Sequence, residues 1–293
     1  MNSITLLSPA KINLTLEVLG PRSDGYHEIR TIMQPIDLFD HVEIEITDEG
    51  GIELSSTGIE IPSGNDNLAW KAADAFLKES GIDNGVKIFI RKSIPPGAGL
   101  GGGSGNAAAV LTGLNRLTGA LSQQKLDSLA PALGADVPFF MRSVTALAEG
   151  IGEKITAIKN FPLFYYVLLV PNLHISTADV YKKWDDLNKT GVKEGVDAAA
   201  EEIIDRFRDA ERDFPLRNDL EDPAAALHPE LRAFKDILAS LDAKDVLMTG
   251  SGSAVYALFT DEREALGIYD YLKTSPTFQV FFAKGIKGWH RIV

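Results

Sequence analysis

The sequence predicts an α+β fold, and three observations predict it. The first sixty residues or so alternate apolar and polar side chains as strands do. An alanine-rich, strongly helix-forming tract follows a run of glycines, and later strands and helices mix without a regular βαβ order. Taken in order, residues 12–18 (Ile-Asn-Leu-Thr-Leu-Glu-Val) alternate, and residues 41–47 do the same around Val42, Ile44 and Ile46. Asn65-Asp66-Asn67 offers a cap for a helix over 68–79 that stops at Gly81. Residues 86–90 read as a strand, 106–117 as the alanine helix, and 123–133 as a helix ending at Gly134. Asp136-Val137-Pro138 starts another helix. The second half gives strands at 164–170, 255–259 and 278–283, and helices at 177–187, 195–208 and 223–241. Asn160-Phe161-Pro162 marks the expected boundary, dividing the chain into domains 1–160 and 161–293.

Composition removes several function classes. A chain of 293 residues buries enough apolar surface to need no disulfide or metal staple. It has no cysteine, which excludes a disulfide framework, a thiolate nucleophile and cysteine-based zinc sites, and which fits the expected cytoplasmic location. The opening residues are short and uncharged, so no secretory or transit segment is expected there. The longest apolar run, 161–170, is far shorter than a membrane span, and no membrane association is expected. A net charge of −12 argues against nucleic acid as a partner. Any anionic ligand must therefore be held by local backbone dipoles and a few placed cations. The five histidines (His27, His41, His174, His228 and His290) are scattered, and no dedicated metal site is expected.

Residues 95–106, Pro-Pro-Gly-Ala-Gly-Leu-Gly-Gly-Gly-Ser-Gly-Asn, contain six glycines between a strand and a helix. Glycine lets backbone approach a phosphate and adopt positive φ, and the following helix adds the positive end of its dipole. A plain turn needs one or two glycines, so a phosphate cradle is the better account. No lysine lies in the run, which removes the P-loop pattern. Gly97, Gly99 and Gly102 make a GxGxxG, but no Asp or Glu occurs from Ser104 to Gln124 to bind a ribose, so a dinucleotide fold is a poor fit. Protein-kinase motifs are absent.

Three stretches together resemble the GHMP family of small-molecule kinases. They are Ser8-Pro9-Ala10-Lys11-Ile12-Asn13-Leu14, the glycine run continued through Ala109, and Met248-Thr249-Gly250-Ser251-Gly252-Ser253-Ala254-Val255-Tyr256. Asp24-Gly25-Tyr26-His27, the triple glycine and Gly134-Ala135-Asp136-Val137-Pro138-Phe139 resemble one branch of that family, whose substrate carries a cytidine diphosphate group. The resemblance implies an N-terminal, ATP-binding domain like the second domain of ribosomal protein S5 and a smaller α/β C-terminal domain, with substrate and ATP in the cleft between. It also implies ATP and Mg²⁺ as cofactors and a monomer or homodimer. One position departs from the family: Gly105 stands where a second serine is usual, leaving Ser104 as the hydroxyl there. The Gly105 N–H is expected still to bind phosphate.

The implied reaction moves the ATP γ-phosphoryl group to a substrate hydroxyl, which needs positioning, charge stabilisation and one group to take a proton. The resemblance assigns Asp136 as that base; on the residues alone the N-cap of the next helix is the better reading. Lys11 matches the electrostatic partner of Asp136 and of the moving phosphoryl, against the commoner fate of a surface lysine. The resemblance gives ATP the residues Pro95, Gly97, Gly99, Leu100, Gly101, Gly102, Gly103, Ser104, Gly105 and Asn106, with Asn67 and Lys92 near adenine. A helix cap and a solvated strand end are the plain alternatives for those last two. Tyr26 and His27, in a turn opened by Ser23-Asp24-Gly25, match a cytosine-reading pair, with Tyr181 on the base's other face. Asn13 and Thr177 match further substrate contacts, and the turn at Gly250 and Gly252 is expected to offer N–H donors to the substrate's diphosphate. Two other functions stay open: a GHMP kinase of another small alcohol, of homoserine or mevalonate type, or a non-catalytic nucleotide-binding protein.

Overall fold

The computed structural model describes residues 2–188, 200–209, 216–243 and 245–288, and the opening alternation forms two long antiparallel strands. β1 (Ser3–Pro21) and β2 (His27–Thr47) are joined by a tight turn in which Arg22 N–H donates to the Tyr26 carbonyl at 2.8 Å. β3 (Ile52–Gly58), α1 (Leu68–Ser80) and β4 (Gly85–Lys92) follow as one crossover that sets β3 parallel to β4. α1 starts where Asn67 accepts from the Ala69 N–H at 2.9 Å and ends at Gly81, left-handed at φ 70°. α2 (Gly102–Thr118), α3 (Gln123–Leu133) and α4 (Val137–Arg142) come next, then the strands β5 (Ala146–Gly150) and β6 (Lys154–Ala157). β2 is long enough to serve two neighbours: residues 41–47 pair with β4 and residues 29–33 with β5.

The second half supplies β7 (Tyr165–Pro171), α5 (Thr177–Leu187), α6 (Ala200–Arg208), β8 (Arg217–Asn218), α7 (Glu221–Leu227) and α8 (Glu230–Ala239). It closes with β9 (Asp245–Met248), β10 (Val255–Phe259), α9 (Glu262–Leu272) and β11 (Phe278–Lys284). One sheet runs β3-β4-β2-β1-β8 with β5 and β6 continuing from β2; the other runs β11-β7-β10-β9 and is antiparallel. β8 belongs by sequence to the second half yet pairs in parallel with β1, so the chain crosses the expected boundary once more.

Several expectations need correction. α2 begins at Gly102, four residues before the alanine tract, with left-handed Gly101 as its cap. The expected 223–241 helix is two helices, because Pro229 has no N–H to continue α7 and instead opens α8. β5, β6, β8 and β9 are two to five residues long, too short to show a period. For the helix expected over 195–208, residues 195–199 lie outside the described residues, as does His290. No helix among the described residues is long and apolar enough to cross a membrane.

Apolar side chains pack in three layers. α1 and α2 cover the first sheet through Phe76, Ala72, Ala108 and Leu111 against Val42, Ile44 and Ile88. α5, α7, α8 and α9 cover the outer face of the second sheet. Between the sheets lies a seam of Ile12, Leu14 and Ile36 against Leu100, Tyr166, Leu168 and Tyr256. The polar atoms of that seam are paired. Tyr166 hydroxyl donates to Gln34 Oε1 at 2.7 Å, and Gln34 Nε2 donates to Thr145 Oγ1 and to the Pro162 carbonyl. Tyr166→Phe keeps the ring and leaves a buried amide oxygen without its donor, so it is expected to cost about 1–3 kcal/mol. Urea denaturation checks this; an unchanged midpoint would show that the oxygen finds another partner.

Candidate active site

A cleft of about 700 Å³ opens where the two sheets meet, lined by β1, the turn before β2, the glycine run, the start of α4, α5 and the turn at 250–252. β1 is irregular there. Its register with β2 slips between Pro9 and Ala10 and again between Asn13 and Thr15, on either side of Lys11 and Asn13. The first slip leaves Asp37 and Leu38 of β2 without partners and the second leaves Leu14 of β1 unpaired, so Lys11 and Asn13 lie on a short stretch between two breaks in the ladder. The Lys11 N–H donates to the Leu100 carbonyl at 3.0 Å, which ties the strand to the glycine run.

Lys11 is 3% exposed, not a surface lysine. Its ammonium donates to Asn13 Oδ1 and lies 3.7 Å from Asp136 Oδ2. Burial pushes its pKa down from the usual lysine value, and the Asp136 charge opposes that shift. Asn13 clamps both halves: its Nδ2 donates to Thr31 Oγ1 at 2.9 Å, its N–H to Thr249 Oγ1 at 3.0 Å, and its carbonyl accepts from Tyr256 hydroxyl at 2.9 Å. Asp136 occupies the N-cap position of α4, but its side chain makes no capping hydrogen bond, so the cap alternative does not hold. The carboxylate is one-third exposed and stands in the cleft beside Lys11.

Gly97, Gly99 and Gly101 are left-handed, at φ 69°, 76° and 71°. A Cβ on Gly99 would stand 2.2 Å from the Thr249 carbonyl oxygen, and one on Gly101 2.8 Å from the Phe140 ring. Glycine is required at both. Gly102, Gly103 and Ser104 form the first turn of α2, where N–H groups have no intrahelical acceptor. They make an anion site with the helix dipole behind it. Gly105 is different, and the expectation for it is corrected: its N–H is spent on the Gly101 carbonyl at 2.9 Å. Its α-carbon faces β1, where a Cβ would stand 2.7 Å from Ser8 Oγ and 3.0 Å from the Pro9 carbonyl oxygen. Leu100 gives its side chain to the seam, Asn106 is buried in α2, and Pro95 lines a separate cavity on the outer side of the run.

Asn67 caps α1 and also donates through Nδ2 to the Pro62 carbonyl at 2.9 Å. Lys92 is buried, not a solvated strand end. Its ammonium donates to Asp40 Oδ2 at 2.5 Å, and Asp40 Oδ1 accepts from the N–H groups of Ser93 and Ile94 at 2.8 and 2.9 Å. Burial lowers the Lys92 pKa, with Asp40 opposing. A Cβ on Gly102 would stand 2.7 Å from Lys92 Nζ, so Asp40 holds this ammonium against the start of α2.

Tyr26, His27, Thr177 and Tyr181 all line the cleft. Tyr26 is 60% exposed. His27 stacks on Tyr181 with ring centroids 4.8 Å apart and meets Trp184 edge-on at 5.7 Å. Tyr181 is half-buried and its hydroxyl pKa is raised by desolvation and by the Asp136 charge. Thr177 Oγ1 and Ser251 Oγ are hydrogen-bonded at 2.8 Å, joining α5 to the 250–252 turn, and Asn218 Nδ2 donates to the Gly250 carbonyl at 2.7 Å. Gly250 and Gly252 are left-handed, and the former packs 3.2 Å from Gly99 when a Cβ is placed on it.

Sequence reasoning missed Asp40, Thr31 and Asp185, and gave no role to Thr249 and Tyr256 although both lie in the third motif. Asp185 had a signal: it lies one helical turn after Tyr181 and so shares its face. The others are joined to the site only through tertiary pairing. Among the described residues no group of three or more His, Asp or Glu could hold a metal. Ser104 hydroxyl and Asp136 carboxylate do line the cleft beside the anion site. That sparse oxygen set fits Mg²⁺ carried by a nucleotide, which takes most of its ligands from phosphate and water.

The fold and this site define a phosphoryl-transfer architecture. The model for the GHMP kinases N terminal domain matches residues 67–143, and that for the GHMP kinases C terminal domain matches 197–276. The chain belongs to the GHMP kinase family. It is 42% identical over 289 residues to the 4-diphosphocytidyl-2-C-methyl-D-erythritol kinase of Geobacter metallireducens, covering 98% of this chain and 100% of that one. It is 44% identical over 266 residues to the enzyme of the same name from Caldicellulosiruptor saccharolyticus, covering 90% and 91%. A crystal structure of 4-(cytidine 5'-diphospho)-2C-methyl-D-erythritol kinase superposes with a TM-score of 0.83 at 35% identity, covering 97% of this chain and all of that one. Homoserine kinase from Cytophaga hutchinsonii shares the fold at a TM-score of 0.68 and 17% identity, with 100% of this chain and 98% of that one covered.

Asp40→Ala would leave a buried ammonium and two N–H groups without their acceptor. The expected cost is about 3–5 kcal/mol of stability. Denaturant unfolding checks it, and a loss indistinguishable from that of a surface Asp→Ala control would remove Asp40 as the anchor of Lys92.

Proposed function

We propose that this protein transfers the γ-phosphoryl group of ATP to the 2-hydroxyl of 4-diphosphocytidyl-2-C-methyl-D-erythritol, a step of non-mevalonate isoprenoid synthesis. The observation that carries the mechanism is the Lys11–Asp136 pair, 3.7 Å apart in a cleft whose wall includes Gly101 and Ser104, from the cap and first turn of α2. The nucleotide's phosphates fit the N–H groups of that turn. Asp136, free of capping duty, accepts the proton of the attacking hydroxyl as its oxygen bonds to phosphorus and the bond to the β-phosphate breaks. Lys11, the cation beside it, offsets charge that develops on the transferred group. Mg²⁺, when bound with the nucleotide, would be held on the protein side by Ser104 and would neutralise phosphate charge. Tyr26 and His27 read the cytosine, with Tyr181 supporting them; Asn13, Thr177 and the 250–252 turn hold the remainder of the substrate. The names borne by relatives more than 40% identical over nearly the whole chain support this substrate.

A coupled assay comparing this substrate with homoserine and mevalonate tests the proposal. Turnover is expected with the cytidyl substrate; preference for either other alcohol would reassign the specificity, and turnover with none would favour a binding protein. Asp136→Asn should lower kcat by about 10²–10⁴ while ATP binding persists. Near-normal turnover in that variant would remove Asp136 as the base. His27→Ala should raise the KM for the cytidyl substrate far more than that for ATP, and equal effects would sink its assignment.

A further inference from the structure

His27 has one ring nitrogen already engaged. Its Nε2 lies 2.8 Å from Asp185 Oδ1, and the imidazole stacks on Tyr181 and meets the Trp184 ring nearly at right angles. All three partners come from α5: Tyr181 and Asp185 are one turn apart, and Trp184 is buried between them. The His27 side chain is 9% exposed, and residue 27 lines the cleft together with Asp185. A carboxylate offers lone pairs and no proton, so the hydrogen on this bond belongs to the histidine. In the neutral ring that leaves Nδ1 bare, as an acceptor.

We propose that Asp185 is a positioning residue for base recognition, fixing His27 as the tautomer whose Nδ1 accepts a hydrogen bond. This rests on the reading that His27 faces the pyrimidine. Its consequence is chemical: cytosine presents an exocyclic amine, a donor, where uracil presents a carbonyl oxygen, an acceptor. An Nδ1 acceptor satisfies the first and opposes the second. A site built to pair one polar group rejects the analogue that cannot pair, so the Asp185–His27 contact selects cytidine over uridine. The device acts on the base alone, because Asp185 neither donates to the transferred group nor touches the Lys11–Asp136 pair.

Three measurements test it in the full-length enzyme with ATP. First, Asp185→Ala should raise the KM for the cytidyl substrate about tenfold, the worth of one hydrogen bond, while kcat and the KM for ATP change little. Second, the ratio of kcat/KM for the cytidyl substrate to that for its uridyl counterpart should fall, and Asp185→Glu should restore part of it. Third, ¹⁵N NMR of the imidazole should show Nε2 protonated and Nδ1 bare in the parent enzyme and a mixed population in Asp185→Ala. An equal rise in KM for both bases would mean that Asp185 merely supports α5. An unchanged base ratio, or a parent histidine protonated at Nδ1, would likewise overturn the proposal. His27→Ala separates the two levels: if it leaves the cytidyl KM unchanged, the reading of His27 fails; if it raises that KM while Asp185→Ala does not, only the role of Asp185 fails.

Discussion

An ammonium held almost wholly out of water sets what its surroundings must be. Lys11 needs acceptors at short range, since a buried charge without partners either neutralises or destabilises the fold. Asn13 supplies one and Asp136 the compensating charge. Asn13 in turn is fixed by Thr31 from β2 and by Thr249 and Tyr256 from the second sheet. The two sheets therefore meet through the residues that hold the charge. Lys11 and Asn13 are two residues apart on a regular stretch of β1 and so share one face, opposite the Ile12 and Leu14 that fill the seam.

Close approach is the second constraint, and it explains why glycine recurs. The 249–252 turn presses on the glycine run until the Thr249 carbonyl occupies the place of a Gly99 side chain. α2 presses on β1 at Gly105 in the same way. Here glycine is a packing matter: position 105 faces Ser8 and Pro9, and the N–H groups at the helix start that lack an intrahelical acceptor belong to the preceding three residues. Removing a hydroxyl at 105 therefore leaves the first turn of α2 as an anion site.

Periodicity and punctuation made much of this legible in the sequence. The long strands, α1 with its Asn67 cap and Gly81 stop, and the glycine run all carry local signals that tertiary contacts do not override. Lys11, Asp136, Tyr26 and His27 came from motif order, and they do line one cleft. What stayed hidden is made of pairing across distance. Asp40 and Lys92 lie 52 positions apart, and Asn13 and Thr249 lie 236 apart, so no window of sequence contains either contact. The break at Pro229 was visible as a residue but was outweighed by the apolar spacing on both sides of it. Tertiary context also decided Asp136, where a good capping residue at a helix start leaves its own helix uncapped.

The electrostatics of the first turn of α2 tie these features together. Lys92 brings an ammonium to Gly102, and the Lys11 side chain runs past Gly101, where a Cβ would stand 3.1 Å from its Cγ. Two cations thus approach the positive end of a helix dipole, where cations are disfavoured and anions favoured. Asp40 balances the first cation through a pair closed to water; Asp136 balances the second from the edge of the cleft, one-third exposed. The asymmetry matters. The Asp40 pair is closed on all sides, while Asp136 stays open to the cleft. A chain of net charge −12 repels a polyanion at long range. It can hold one here because desolvated cations and aligned N–H groups act over a few ångströms, where the distant carboxylates are screened by solvent.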